Sequence, residues 1–328
     1  KMEAYTLYLR GRFHWNRRTK ADLERAIAFF QQAIELEPRY AQAYAGLADA
    51  WYILVSYGLA DAKEFLPKAE EAARRALELD DALAEAHTSL AGIAAYRFDW
   101  EQAERGFRRA IELNPNYATA HHWYAFLLST HGRLDEALGH IHRARELDPH
   151  SPIIWVAAAV VHHWTRQYDR ILDEVRATVQ LHPGALPEFH MILGAVLFWL
   201  GRYEEALSEL QKYQEQEARM APFTDCFCDI LSALAHERMG KRGVLRKTLD
   251  RWEAEPDRRK ISSYSMAIGY FQLGDMDRGF EWLERASEYE MRRGVAQNLI
   301  NLKADPFFDA VRDDPRFQRI LAKLGLTG

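Results

Sequence analysis

Small and apolar residues recur at helical spacing in paired stretches, and the pairs repeat at a fixed offset. From Ala84, the first stretch puts Leu90, Ala91 and Ala94 on one helical face. The second, Glu101 to Leu113, puts Ala103, Phe107 and Ala110 on one face at i, i+4 and i+7. Asp99-Trp100 marks the turn between them. Asn114-Pro115 ends the second stretch, because proline lacks an amide donor and restricts the residue before it. Thirty-four residues on, Ala103, Phe107, Ala110 and Pro115 become Ala137, Ile141, Ala144 and Pro149, and then Ile171, Val175, Thr178 and Pro183. Such a period predicts a repeat architecture of helical hairpins. One hairpin cannot bury its own apolar face, so each stacks on the next.

Extended outward, the register divides residues 1–217 into six units of about 1–40, 41–83, 84–117, 118–151, 152–186 and 187–217. The first carries Gly11, Ala26, Phe30, Ala33 and Pro38, with about three extra residues in its turn, at Asn16 to Thr19. The second opens with Tyr44, Leu47, Ala48 and Trp51. Its turn is expected to swell by about nine residues around Ser56 to Leu66. The sixth opens at Pro187 and carries Leu193, Gly194, Leu197, Gly201, Ala206 and Leu210. Glu215 to Pro222 then breaks the spacing. Residues 218–290 read as two degenerate units, with Gly240 and Gly274 at their turns and a polar linker, Glu253 to Lys260, between them. Residues 291–328 are expected to cap the array, with a short helix near Val295 to Leu302 and a last one from Pro315 to Leu324. No long alternating run of Val, Ile or Thr predicts a strand, so the expected class is all-α.

Composition narrows the function more than the fold. At 328 residues and 48% hydrophobic, the chain can bury a long core. The formal net charge of -5 gives no sign of nucleic-acid or membrane-surface binding. No apolar run reaches the ~20 residues of a membrane span, and no secretory signal opens the chain. Lys1-Met2 reads as an expression scar or an internal cut, so one module of a longer protein is expected. Cys226 and Cys228, two apart on a helix, point to nearly opposite sides and read as small buried thiols.

The register residues resemble the tetratricopeptide pattern. One unit matches with His87, Leu90, Ala91, Ala94, Ala103, Phe107, Ala110 and Pro115, and the next with His121, Tyr124, Ala125, Leu128, Ala137, Ile141, Ala144 and Pro149. The resemblance implies a right-handed superhelical solenoid of about eight repeats, whose first helices line a concave groove. Carried over residue by residue, that groove takes Tyr5, Tyr8, Arg12 and Trp15, then Gln42, Asp49 and Tyr52, then Glu85, Thr88 and Tyr96. Thr119, His122, Phe126 and Ser129 follow, with Trp123 beside them, then Val156, Val160, His163 and Trp164, and then Met191, Phe198 and Trp199. A groove so aromatic suits an apolar or amphipathic peptide or helix. The alternative is that the superhelix is tight, or the neighbouring insert folds in, and these aromatics are core. Clamps for chaperone C-terminal carboxylates use Lys, Arg and Asn at the fifth position of these helices. Thr88, His122, Val156 and Met191 depart from that set.

Ten of the 13 histidines fall between His121 and His190. His121-His122 and His162-His163 are adjacent pairs, and adjacent helical residues do not face each other. They therefore read as scattered hydrogen-bonding groups, with a metal site or a pH-responsive surface as alternatives. Arg238, Lys241, Arg242, Arg246 and Lys247 form a basic cluster, read as a solvated turn. No phosphate loop, HExxH, GxSxG or CxxC motif is present. Glu85, Asp49 and Glu188 lie in different units without an evident partner, which argues against an enzyme.

The opening, Ala4 to Thr19, with Ala43 to Trp51, and the ending, Leu302 to Phe317, resemble the C-terminal repeat regions of modular bacterial signalling proteins. In those, a winged-helix domain, a nucleotide cyclase or a Ser/Thr kinase precedes the repeats. The resemblance implies a non-catalytic, partner-binding or sensory scaffold with no cofactor and no metal. Its partner would be a protein or peptide, with no nucleic acid contacted directly. A small-ligand receptor and a homo-oligomerisation module are the alternatives. A cytoplasmic location is expected, or else a periplasmic part of a membrane-anchored regulator.

Overall fold

A computed structural model describes residues 2–181, 188–220, 226–255, 262–293 and 299–327. His182, Pro183, Pro187, Pro222, most of the Glu253 to Lys260 linker and the start of the expected Val295 helix lie outside the described residues. Helices follow one another in pairs: Met2–Arg17 with Lys20–Leu36 (α1, α2), Ala41–Ser56 with Ala62–Leu79 (α3, α4), Ala84–Tyr96 with Trp100–Leu113 (α5, α6), and Ala118–Thr130 with Leu134–Leu147 (α7, α8). Pro152–Trp164 with Tyr168–Leu181 (α9, α10), Glu188–Trp199 with Tyr203–Met220 (α11, α12), Cys226–Arg238 with Val244–Glu253 (α13, α14) and Ser263–Leu273 with Met276–Arg293 (α15, α16) continue the series. Two 3₁₀ turns, Leu299–Asn301 and Pro306–Val311, precede the last helix, Pro315–Lys323 (α17). No strand occurs among the described residues, and none of the helices is long and apolar enough to cross a membrane.

One expectation about loops is corrected. The extra residues of the second unit mostly lengthen a helix. Asp61 caps the amide of Lys63 and α4 starts at Ala62, leaving a short turn at 57–61. The residues that break the repeat spacing after the sixth unit likewise lengthen a helix in part, since Glu215 to Met220 continues α12. Asp99 does make the predicted turn, capping the amide of Gln102 at the start of α6.

The hairpins interlock through one recurring device: a bulky second-helix side chain seated against first helices stripped of bulk. Phe30 of α2 is fully buried between Gly11 of α1 and Gly46 of α3. A Cβ at Gly11 would stand 2.5 Å from its ring, and one at Gly46 2.6 Å. Leu210 meets Gly194 in the same way, and Leu249 meets Gly269.

Every hairpin turn also holds a residue in the left-handed region: Arg18, Gly58, Phe98, Gly132, Arg166, Gly201, Gly240 (with Gly243 in the same turn) and Gly274. In seven of the turns a second amide reaches back five residues, as from Asp99 to Ala94 (2.9 Å) and Arg202 to Leu197 (2.9 Å). This closes the helix end and supplies its orphan carbonyls with donors.

The chain divides into two compact units, one chiefly Lys1–Leu127 with Gly139–Ser151, the other Leu128–Leu138, Pro152–Arg293 and Asn298–Gly328. In the second unit the tail folds back across the repeats. Phe307 packs on Trp199 (centroids 5.0 Å apart), Phe198 and Phe227, while Phe308 packs on Tyr264, Phe271 and Phe317. Arg166 grips Asp309 with two nitrogens, Nε at 3.1 Å and Nη2 at 2.5 Å. Asp305 starts the second 3₁₀ turn by accepting from the Phe307 amide (2.9 Å), and it also takes the Tyr264 hydroxyl (2.8 Å). Burial pushes the Asp305 carboxyl up to about 6, although both of those donors favour its charge.

Two outcomes follow. Gly139, mid-helix in α8, has nothing within 4 Å of an added Cβ, and neither has Gly201, which sits at φ 73°. Gly139→Ala should therefore stabilise by up to ~1 kcal/mol through helix propensity, and Gly201→Ala should destabilise by about 1 kcal/mol through backbone strain alone. Thermal melts in which both shift the same way would contradict the turn geometry. The second concerns pH. A carboxyl with a raised folded pKa binds its proton more tightly when folded. Its stabilising contribution is complete below the unfolded value near 4 and is lost as pH rises through about 6. Asp305→Asn should accordingly be more stable than wild type at pH 7.5, by on the order of 2 kcal/mol, with the difference closing at pH 4. Parallel stability–pH curves for the two proteins would refute this.

Candidate functional site

The thirteen residues expected to line the groove all belong to first helices, but the structure does not leave them open. Trp15, Tyr96, His122, Trp123, Trp164 and Phe198 are buried. Tyr8, Arg12, Tyr52, Phe126, His163, Met191 and Trp199 are half-buried. The expectation of a broadly exposed aromatic surface is corrected accordingly. The reason differs between the two units.

In the first unit the aromatics of successive hairpins pack on one another. Tyr52 of α3 meets Tyr96 of α5 (6.3 Å) and Trp123 of α7 (5.0 Å). Even a Cβ at Gly92 would touch both Tyr52 and Trp123. His122 lies against Phe126 at 5.4 Å, and Tyr8 against Phe30 and Tyr40. Tyr52 and Phe126 are not fully enclosed, so part of each ring remains reachable.

Beside this stack lies a polar cluster that periodicity could not assemble. Arg12 donates to Asp49 Oδ2 at 3.2 Å, and the Ser89 hydroxyl donates to Oδ1 at 2.6 Å, joining α1, α3 and α5. Burial pushes the fully enclosed Asp49 carboxyl up to about 6, against Arg12, Ser89 and Arg18. Burial also opposes the charge of Arg12, but Tyr117, Tyr8, Asp49 and Glu85 outweigh it and hold the guanidinium above its usual range. Arg12 and Arg18 both stand over the Trp15 indole, with Cζ at 4.2 and 3.5 Å from the ring centroid. Asp49 read alone is a lone acid in one unit; its partner became visible only when α1 was placed beside α3.

In the second unit the occupant is the chain's own tail. Phe198 and Trp199 of α11 take Phe307, and Tyr168 stacks on Trp199 and meets His163. No sequence signal pointed to this contact, which bridges more than 100 positions; the Asp-Pro-Phe-Phe phrase alone marks the segment.

The histidines mostly hydrogen-bond locally. His121 Nδ1 lies 2.9 Å from His140 Nδ1, and its Nε2 lies 3.0 Å from the Pro115 carbonyl. His190 pairs with Glu209 at 2.7 Å. Burial, reinforced by Arg18, pushes His122 down to about 3, and burial, reinforced by Arg166, pushes His163 down to about 4, so both are neutral at physiological pH. Among the described residues no three His, Cys, Asp or Glu side chains are grouped to hold a metal ion. Cys226 and Cys228 are both buried. In the basic turn, Arg246 lies 3.7 Å from Asp275.

Two segments match family profiles described as tetratricopeptide repeat, residues 4–40 and residues 107–139. No curated protein matches the chain in sequence. Among solved structures, the APC/C hetero-tetramer Cut9–Hcn1 is similar with a TM-score of 0.60 at 12% identity, over 94% of this chain and 53% of that one. PilW, described as a widely conserved type IV pilus biogenesis factor, is similar at 0.54 and 17% identity, over 67% of this chain and 96% of its own. Yeast Tom70 is similar at 0.50 and 17% identity, over 98% of this chain and 67% of its own. These likenesses establish the fold. With the 34-residue period, the paired helices and two matched segments in agreement, the chain carries tetratricopeptide repeats and has the all-α fold of the arrays built from them.

Proposed function

We propose that this chain is the partner-binding module of a larger bacterial regulatory protein, a scaffold whose first-helix faces hold an apolar or amphipathic peptide or helix. Tetratricopeptide repeats are in general protein–protein interaction scaffolds and typically non-catalytic. The bacterial setting rests on the opening and closing phrases of the sequence. The observation that carries the binding mode is the tail. The Pro306–Val311 turn seats Phe307 against Phe198 and Trp199, and this contact within the chain supports the reading that such helices accept an aromatic side chain. The same register in the first unit offers Tyr8, Tyr52 and Phe126, each half-buried.

Peptides selected from a random display library on the whole chain test this. Binders should lose at least ~10-fold in affinity with Tyr52→Ala or Phe126→Ala, as expected when an aromatic anchor is truncated, while helicity by circular dichroism stays unchanged. Trp123 and Trp164 suit the test less, because both are buried. Selected peptides indifferent to both substitutions would remove the groove from the proposal.

A second reading, self-association, is favoured by α1. Met2, Tyr5, Leu9 and Phe13 are exposed along one side of it, at 82, 52, 47 and 59%. The positions matching Leu9 and Phe13 in the next hairpins are Gly46 and Ala50, then Ser89 and Ile93, all buried. There the preceding hairpin covers them, with Phe30 on Gly46 and Val55, Leu66 and Ala69 around Ile93. The α1 face therefore has the shape that receives another hairpin. Mass measured by light scattering should rise with concentration and return to that of one chain in Leu9→Lys/Phe13→Lys; a mass independent of concentration would discard this reading.

A further inference from the structure

The first unit holds a set of buried donors without acceptors. Arg18 is only 4% exposed, and its Nε and Nη1 are buried with no hydrogen-bond partner among the described residues. Trp15, 2% exposed, has its indole Nε1–H in the same condition. The two are neighbours, since the Arg18 guanidinium carbon stands 3.5 Å from the Trp15 ring centroid. Buried donors are ordinarily paired, and an orphaned one is costly. A buried guanidinium ordinarily has a carboxylate or phosphate opposite its fork. The Tyr117 hydroxyl, which can donate or accept, is also without a partner in this unit, but the Arg18 and Trp15 groups can only donate, so their missing complement is an acceptor.

The charge balance says which acceptor. Asp49 is the carboxylate of this cluster, and it is already engaged by Arg12 at 3.2 Å and by the Ser89 hydroxyl at 2.6 Å. Glu85 acts on Arg12. Arg18 keeps one positive charge without a bonded counterion. It remains charged at neutral pH, although burial lowers it to about 10. His122 beside it is neutral. Counting Glu85, two guanidiniums already stand with two carboxylates, so an added carboxylate brings a single further charge into this aromatic surround, whereas a phosphate dianion would bring two.

Arg18 occupies the turn between α1 and α2, and Tyr57, in the turn after α3, is among the groups that act on its charge.

We propose that Arg18 and the Trp15 indole N–H form a carboxylate-binding site in the first unit, which takes one acidic group of the bound partner. The site rests on the reading that the first-helix faces bind peptides, and it adds to it the requirement for an acidic residue. A free small carboxylate would use the same two donors.

The test follows the Trp15 indole resonance by NMR in the whole chain, assigned by its loss in Trp15→Phe. The probes are butyrate, an acetyl-Gly-Glu-Gly-amide peptide, its Gln counterpart and inorganic phosphate, all at matched ionic strength. The expected result is a saturable shift with butyrate or the Glu peptide but not with the Gln peptide. A response to butyrate alone identifies a small metabolite-type acid as the occupant, and a response to the Glu peptide identifies a protein side chain. Arg18→Met should weaken that binding at least ~10-fold, as expected for loss of a charge-assisted hydrogen bond, and should raise the melting temperature of the ligand-free protein by deleting an unpaired buried charge. Arg18→Lys keeps the charge without the planar guanidinium. It should fold and also bind more weakly, which preserves the test if the Met variant misfolds. No shift with either carboxylate, a shift with phosphate alone, or a ligand-free Arg18→Met that melts lower than wild type would each overturn the site. Library peptides that need Tyr52 and are indifferent to Arg18 would overturn the carboxylate site while leaving the binding face in place.

Discussion

Consecutive hairpins keep their spacing because a large second-helix side chain enters a notch that neighbouring first helices leave without a Cβ. Phe30 fills that notch between Gly11 and Gly46, Leu249 fills it against Gly269 of the next hairpin, and Leu210 makes the same contact with Gly194 inside one hairpin. The contact is steric and apolar, so it is both strong and narrow in tolerance: protein interiors are packed too tightly to absorb an added carbon at 2.5 Å. It fixes the pitch from one first helix to the next. Everything displayed on those helices, from the Tyr52–Tyr96–Trp123 stack to the Arg12–Asp49–Ser89 chain, depends on that pitch.

The two units use the same inner face in opposite ways. In the first, the face is closed by its own aromatics and carries a polar cluster with a surplus of donors. In the second, Phe307 and Phe308 of the tail occupy it, held by the Arg166–Asp309 fork and the Asp305–Tyr264 bond. The tail sets on that face an aromatic side chain flanked by acids. The donor surplus near Trp15 asks for the second half of the same pairing.

Much of the fold was legible because a helical hairpin is a local object. Its two faces, its turn and its stop fall within one 34-residue window, and Ala103, Phe107, Ala110 and Pro115 reveal all of them. Loop lengths were less legible, since an insertion can lengthen a helix as easily as a turn, as Ala62–Leu79 and Tyr203–Met220 do. The site was legible only as a list of first-helix positions. Periodicity says which way a side chain faces and not what stands opposite. Asp49 therefore looked partnerless until Arg12 was placed against it, and Trp199 looked open until the tail was placed on it. Arg18 was visible only as one of the extra residues in a lengthened turn, and its lack of an acceptor is a property of the surroundings rather than of the sequence.

The left-handed residue at each turn has a consequence beyond closing helices. In five of the eight hairpins glycine takes the principal such position, and the slot is chemically blank. In the other three it is Arg18, Phe98 or Arg166, at backbone angles that side chains rarely adopt. Two of these three carry guanidinium groups: Arg166 holds the tail carboxylate Asp309, and Arg18 lies over the Trp15 ring. The turn thus behaves as a socket of fixed position whose contents can be exchanged without disturbing the helices on either side. An array built this way can acquire a new recognition group by a single glycine-to-arginine change at a turn, with a modest conformational penalty and no redesign of the packed core.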